Sequence, residues 1–389
     1  MSQQGGLPNC GNELNNLLNY LNLSYSNLGE LVPDSTPFGF FCSYWPEEIS
    51  LAAGLHPFRV LPQGRTYSPA HLPTYCCTIA RGCLELGENL STGGHKSENT
   101  GLNGFAHSCD TMQCLGQIWL NTVNEKTVTF VPPVHLSAAG AGAYTAAELK
   151  RTAEELSGLC QREISEADIS KAITLNNRVR RIVERLEKLR PYYHSGFISS
   201  LIRVAQLAPR QVYAEVMENS LPELENNPVS PSGSSNAANK RTNLLISGAM
   251  FENEDIHNLI EELGARVVAD DSCTGYRHFA GIVDEEQNPF EALAARHPER
   301  PSCPCRHKGL NDRADYLIGL ARNRNAEAAL VVLRKFCEPH AWDSVSLAQA
   351  FKKEGLPTLV LEMDGATPGG QERTRLQAFL ESLEGGMNK

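Results

Sequence analysis

Residues Ala328 to Leu333 form an unbroken apolar run between two helical segments, Asp312 to Arg322 and Ser346 to Glu354. A strand that is apolar on both faces suits a parallel sheet covered by helices on both sides. The surrounding sequence keeps the alternation. Leu244 to Ser247, Arg266 to Ala269 and Thr358 to Glu362 read as strands, and Glu254 to Leu263 and Glu372 to Leu383 as helices. Gly264 and Gly355 are natural helix stops. This order predicts a doubly wound parallel α/β sheet, which binds ligands beyond the carboxyl ends of its strands.

The N-terminal part carries the same signature less cleanly. Leu14, Leu17, Leu18 and Leu21 place an opening amphipathic helix within Gly11 to Glu30. The aromatic run Phe38 to Tyr44 suits a buried strand, and Pro46, Glu47 and Glu48 suit the start of a helix reaching Gly54. Phe58 to Leu61, Gly104 to His107 and Thr127 to Val131 read as strands, and Thr78 to Leu86 and Asp110 to Leu120 as helices. Gly87 to Gly104 reads as a polar surface loop, and Gly140-Ala141-Gly142-Ala143 as a flexible connector. Thr145 to about Glu225 is mostly helical. Within it, Arg178, Arg180, Arg181 and Arg185 interleave with Glu184 and Glu187, the pattern of a solvated face. The expected division is an N-terminal α/β lobe over 1–144, a helical connector over 145–225, a linker over 226–243 and a flavodoxin-like α/β lobe over 244–389. The fold class is therefore α/β, with two doubly wound parallel-sheet lobes facing each other across a cleft.

Composition narrows the function. Hydrophobic residues are 41% and charged residues 21%, which excludes a disordered or collagen-like chain. A net charge of −10 argues against a general nucleic-acid binder. No apolar run approaches a membrane span, and Met1 to Gly6 lacks the features of a secretory signal, so the expected location is cytoplasmic with no membrane partner.

Twelve cysteines are many for a chain with reduced thiols, and point to metal or redox chemistry unless they simply fill core space. Cys42, Cys109, Cys273 and Cys337 each follow a strand-like run, Cys77 opens a helix, and Cys303 lies in the loop before another. In an α/β sheet those places share one edge. The separations repeat: 35 from Cys42 to Cys77, 32 to Cys109, then 30 from Cys273 to Cys303 and 34 to Cys337. Each half thus presents three cysteines at about one βα-unit spacing. No C-x2-C pair is present, which argues against common zinc, thioredoxin-like and bacterial ferredoxin patterns. Spacing alone leaves cluster ligands and core cysteines both open. Cys76 adjoins Cys77 but should point a different way, Cys83 and Cys114 read most simply as packing, Cys160 ends a helix, Cys10 lies near a chain end, and Cys305 is an alternative to Cys303.

At these residues the sequence resembles the 2-hydroxyacyl-CoA dehydratase / benzoyl-CoA reductase family. The matching blocks are Gly39-Phe40-Phe41-Cys42-Ser43-Tyr44-Trp45-Pro46-Glu47-Glu48-Ile49, His71 to Cys77, Ser108-Cys109-Asp110-Thr111, Asp270 to Arg277, Cys303-Pro304-Cys305-Arg306-His307 and Lys335 to His340. They stand in family order from about Asn12 to Glu384 and are specific together. The resemblance implies two α/β lobes with an iron–sulfur cluster at their interface. Cubane-type dehydratases match only Cys77, Cys109 and Cys337. The branch matching all six of Cys42, Cys77, Cys109, Cys273, Cys303 and Cys337 carries a double-cubane (8Fe-9S) cluster, two four-iron cubanes joined by a sulfide.

The implied activity is ATP-driven, low-potential reduction of an acyl-CoA such as a benzoyl-type thioester, as in the C-type subunit of benzoyl-CoA reductase. Alternatives are a 2-hydroxyacyl-CoA dehydratase subunit, which is a radical lyase with a 4Fe-4S cluster, and a stand-alone homodimeric double-cubane reductase. A non-enzymatic electron carrier or a cysteine-rich structural protein is the reading outside enzymes. Implied partners are a separate ATP-hydrolysing iron–sulfur activator, a related subunit or a second copy, and the acyl-CoA substrate. Consistently, no G-x4-G-K-[ST] loop is present. His340 and His278 are candidate catalytic proton donors, against the simpler reading of structural histidines. Glu338 suits a helix start. Arg277, Arg306 and Lys335 could offset cluster charge or meet CoA phosphates, against surface salt bridging.

Overall fold

The computed structural model describes residues 11–386 except 24–26, 28–30, 34, 63, 93–100, 124–125, 229–240 and 310. Two four-stranded sheets organise it, and every strand pair is parallel. The first contains β1 (Thr36–Phe40), β2 (Leu55–Arg59), β3 (Leu102–Ala106) and β4 (Lys126–Phe130), in the order β2-β1-β3-β4. The second contains β5 (Thr242–Gly248), β6 (Ala265–Asp271), β7 (Ala328–Arg334) and β8 (Thr358–Met363), in the order β6-β5-β7-β8. The winding is the same in both. Each has its switch point between its first and third strands, where an open α/β sheet forms a crevice at its carboxyl edge.

All seven residues of β7 are buried. Leu330 and Val332 pack with Ile260 of α9 (Asp255–Glu262) and Leu376 of α14 (Gly370–Gly386). Val331 and Leu333 pack on the other face with Leu317 of α12 (Asp312–Asn323) and Phe351 of α13 (Glu338–Lys353). Each such Val or Leu contributes about 1.5–3 kcal/mol of burial. The first sheet has the same two-sided logic. Phe38, Phe40 and Phe130 meet Ile49 of α2 (Glu47–Ala52), Leu149 of α5 (Ala141–Cys160) and Phe290 of α11 (Pro289–Glu299). Phe58 and Phe105 meet Leu84 of α3 (Thr78–Thr92) and Leu115 and Trp119 of α4 (Asp110–Thr122). Gly104 lets Trp45 lie on the sheet, since a Cβ there would stand 2.6 Å from the indole. A separate helical core joins α1 (Asn12–Leu18), α6 (Glu166–Leu189), α7 (Ser195–Val204) and α8 (Arg210–Asn226).

Several sequence expectations need correction. The opening helix is short and passes into a 3-10 turn at Asn19–Asn22. β2 starts at Leu55, because Gly54 takes φ +79 and turns the chain straight from α2 into the strand. Residues 87–92 are helical: Gly87 is a close contact of α3 on Trp119 and Val123 rather than a breaker. Residues 93–100 of the expected loop, and 229–240 of the expected linker, lie outside the described residues. Gly140 (φ +81) is the N-cap of α5, so Gly140 to Ala143 begins a helix instead of a connector. α13 begins directly after Cys337, with Pro339 in the first turn where its missing N–H costs nothing. α11, capped by the Asn288 side chain, and the short α10 (Tyr276–Phe279) were not expected.

The charged face of α6 is solvated only in part. Arg178, Arg181 and Arg185 pair at the surface with Glu218, Glu285 and Glu225. Arg180 and Glu187 are buried, Arg180 paired with Glu48 and Glu187 with Arg190. Among the described residues no helix is long and apolar enough to cross a membrane.

Candidate functional site

Strand ends, helix starts and one loop bring six cysteines together, in two groups of three that meet where Cys109 and Cys303 interact. Cys77 is hydrogen-bonded to Cys337, and Cys109 neighbours both. Cys42 neighbours Cys273, which neighbours Cys303. Each group draws on both halves of the chain, so the threefold spacing within each half does not itself define a group. Cys305 stands between them, against Cys109 of the first group and Cys303 of the second. It is carried there by a hairpin in which Cys303 and Arg306 exchange backbone hydrogen bonds of 3.1 and 2.9 Å. The hairpin is strapped across to the first sheet's edge: His307 N–H donates to Val134 O at 3.2 Å, and Leu136 N–H to His307 O at 2.8 Å.

The first group lies at helix starts. Cys109 is the N-cap of α4 and Cys337 the N-cap of α13, where the helix dipole favours a thiolate. The hydrogen bond from Cys337 outweighs burial and brings the Cys77 thiol down to about 7; Cys337 keeps the shared proton and is raised. His340 Nδ1 is 3.3 Å from Cys337 Sγ, and burial lowers that histidine so that it is neutral. Phe336 is held at φ +61 while 43% exposed, a strained aromatic next to Cys337. Arg334, at the end of β7, is buried and paired with Glu252.

The second group lies among buried guanidiniums. Arg59 donates to Cys273 Sγ at 3.4 Å and to Ser43 Oγ at 3.3 Å. Arg300 donates to the carbonyls of Ser43, Arg277 and His278, and sits 4.9 Å over the Tyr44 ring. Arg277 donates to the carbonyls of Gly248 and Asp271. Burial raises the Cys273 thiol, but Arg59 and Arg277 outweigh it and the net shift is downward. Cys303 is brought to about 6, chiefly by its hydrogen bond with Cys305. Cys42 is the exception, pushed up to about 11 by burial and by Cys273, although Ser108 Oγ lies 3.0 Å from its sulfur.

The other sequence candidates are placed as follows. His278 does not face a cysteine; its Nε2 is 2.6 Å from Glu47 Oε1, its ring stacks on Phe40, and burial lowers it to about 4. Arg306 is buried and donates to the carbonyls of Cys305 and His107. Lys335 pairs with Asp364 at 3.0 Å, and Glu338 is exposed at the start of α13. Cys83 is fully buried and Cys114 exposed. Sequence reasoning missed Ser43, Ser108, Arg59 and Arg300. A usable signal existed for Arg59 alone, a charged residue inside the apolar strand-like run Phe58 to Leu61.

Do these residues fit an iron–sulfur cluster? Among the described residues no three His, Cys, Asp or Glu side chains stand at the close spacing of a single-ion cage such as zinc requires. A cluster spreads its thiolates over several irons. More telling is the charge. Arg59, Arg277 and Arg300 are 2–3% exposed; Arg277 has Asp271 as a carboxylate partner at 3.7 Å, but among the described residues Arg59 Nε, Arg277 Nη1 and Arg300 Nε have no hydrogen-bond partner. Buried cationic donors left this way are costly unless an anion completes them. A thiolate-held cluster is such an anion, so the donor set fits.

Known proteins identify the family. Over 353 residues the chain is 25% identical to the (R)-phenyllactyl-CoA dehydratase beta subunit of Clostridium sporogenes, covering 87% of this chain and 90% of that protein. It is 24% identical to the lactoyl-CoA dehydratase subunit beta of Anaerotignum propionicum, covering 89% and 91%. It is 27% identical to the putative dehydratase subunit YjiM of Escherichia coli K12, covering 60% and 61%. These relatives are dehydratase subunits, and they favour the lyase over the reductase reading. The family model for the 2-hydroxyglutaryl-CoA dehydratase D-component matches residues 42–383, from the first cysteine of the site to the last helix, and the chain belongs to that family.

Proposed function

We propose that this chain is the beta-type subunit of a 2-hydroxyacyl-CoA dehydratase. It would work with a related second subunit and receive its electron from a separate ATP-hydrolysing activator. The family match and the names of its relatives support the lyase; the convergence of Cys77, Cys109 and Cys337 at the strand ends carries the reading to a site. Those three thiols would hold one cubane, and Cys42, Cys273 and Cys303, within their guanidinium shell, a second. Such a cluster, when bound, supplies the low-potential electron that starts removal of the hydroxyl from an acyl-CoA.

The chain's own residues prepare that chemistry. The N-cap position of Cys109 on α4 and the Cys77–Cys337 hydrogen bond favour thiolates at Cys109 and Cys77, while Cys337 keeps the shared proton. Arg59, Arg277 and Arg300 balance thiolate charge at the second. His340, neutral and against Cys337, holds a proton beside the first group. Phe41, Phe105 and Trp119 pack together on the first sheet and keep water from that side.

A second reading, the acyl-CoA reductase, is favoured by one observation: six cysteines converge where the dehydratase resemblance needs three. Protein purified without oxygen and assayed with its partner subunit and an activator separates the two. Dehydration of a 2-hydroxyacyl-CoA supports the lyase; reduction of an aromatic acyl-CoA with no dehydration overturns it. Iron and acid-labile sulfide per chain, with an EPR spectrum of the reduced protein, test the cluster: about eight irons for both groups and about four for the first alone. Zinc alone, or no metal, would remove both readings.

A further inference from the structure

Ser108 stands at a junction between the two cysteine groups. β3 ends at Ala106, and in extended backbone successive side chains point to opposite sides. Cys109, with φ −146 and ψ 167, turns to the first group. Ser108, the residue before it, turns its oxygen to Cys42 of the second, 3.0 Å from the sulfur. Ser108 is 4% exposed, so its hydroxyl is largely shut off from solvent. A thiolate only accepts hydrogen bonds, so with Cys42 ionised the Ser108 proton must lie on the line to sulfur. Ser43 is already committed, since it donates to Cys273 O at 2.7 Å. Among the described residues Ser108 is the side-chain hydroxyl given over to Cys42.

We propose that Ser108 is a positioning residue for a cluster on the second cysteine group: its hydroxyl orients the Cys42 thiolate and draws electron density from it. Hydrogen bonds to cluster sulfurs raise the reduction potential, and outer-shell partners of this kind fix ligand orientation. Because Ser108 and Cys109 are consecutive, one turn of chain reaches both groups. The inference rests on the second group holding a cluster.

The test compares wild type with Ser108→Ala and Ser108→Thr, each purified without oxygen and fully loaded. Iron, sulfide, the EPR spectrum of the reduced state and the midpoint potential are measured. The expected result is unchanged iron and sulfide in Ser108→Ala, a lower potential for one of the two clusters and an altered spectrum, with both returning toward wild type in Ser108→Thr. Full iron with unchanged potential and spectrum in Ser108→Ala overturns the role of Ser108 alone. If Cys42→Ala keeps all the wild-type iron, the second group holds no cluster, and the reading beneath the inference falls with it.

Discussion

The two cysteine groups are built from the same strand-to-helix edges, yet their surroundings differ. The first sits at the N-caps of two helices, and its nearby buried guanidinium, Arg334, has Glu252 as a carboxylate partner. The second sits among Arg59 and Arg300, whose partners are carbonyls, a hydroxyl and a thiol rather than carboxylates. One group is therefore balanced by the fold itself. The other leaves buried positive charge for an occupant to balance. Whether a site is complete before its ligand arrives is written in the partners of its arginines.

The largest effect expected from this contrast is at the first group. Cys337→Ala should abolish dehydration and release the first cluster, a loss beyond the roughly 10–100-fold cost of an outer-shell change. Cys42→Ala should remove iron from the second group alone. Iron analysis and turnover of the two variants check this, and equal losses from both would erase the distinction.

Next in size is the arginine comparison. Arg334→Ala strands the Glu252 carboxylate and should cost about 3–5 kcal/mol of stability. Arg300→Met in cluster-free protein strands no carboxylate, and should be close to neutral or stabilising by thermal melting. A large loss from Arg300→Met would show that the second group is balanced without a ligand.

Acid should loosen both sides of the site, through His340 at the first group and through two histidines at the second. His278 and His297 lie behind that group, and burial lowers them to about 4 and about 3 from the ordinary 6.5. Both are neutral when folded. The unfolded chain binds the extra protons, so this stability is complete above about 6.5 and falls as pH drops toward 4. Each contributes on the order of 3 kcal/mol. Urea melts of His278→Gln between pH 7 and pH 4 should show a flatter pH dependence than wild type; an unchanged slope contradicts the assignment. The smallest effect belongs to a bystander thiol: Cys114→Ser, on an exposed position, should leave iron content unchanged and stability within about 0.5 kcal/mol.

Much of this organisation was legible in the chain. The apolar run of β7 and its flanking helices required a parallel sheet, because a strand apolar on both faces has no stable place at a solvated one. Cysteines following strands had to reach the carboxyl edge, because every strand in a parallel sheet points the same way. Local punctuation misled where glycine served packing or capping, as at Gly87 and Gly140, since a glycine's local signal is the same in both uses. The grouping of Cys77 and Cys109 with Cys337, and of Cys42 with Cys273 and Cys303, was decided only by how the two sheets meet. So was the burial of Arg59 and Arg300 with no carboxylate partner among the described residues, and the reach of Ser108 to a cysteine 66 positions away. Sequence periodicity records which face of an element is buried; what that face is buried against depends on contacts between elements distant in the chain.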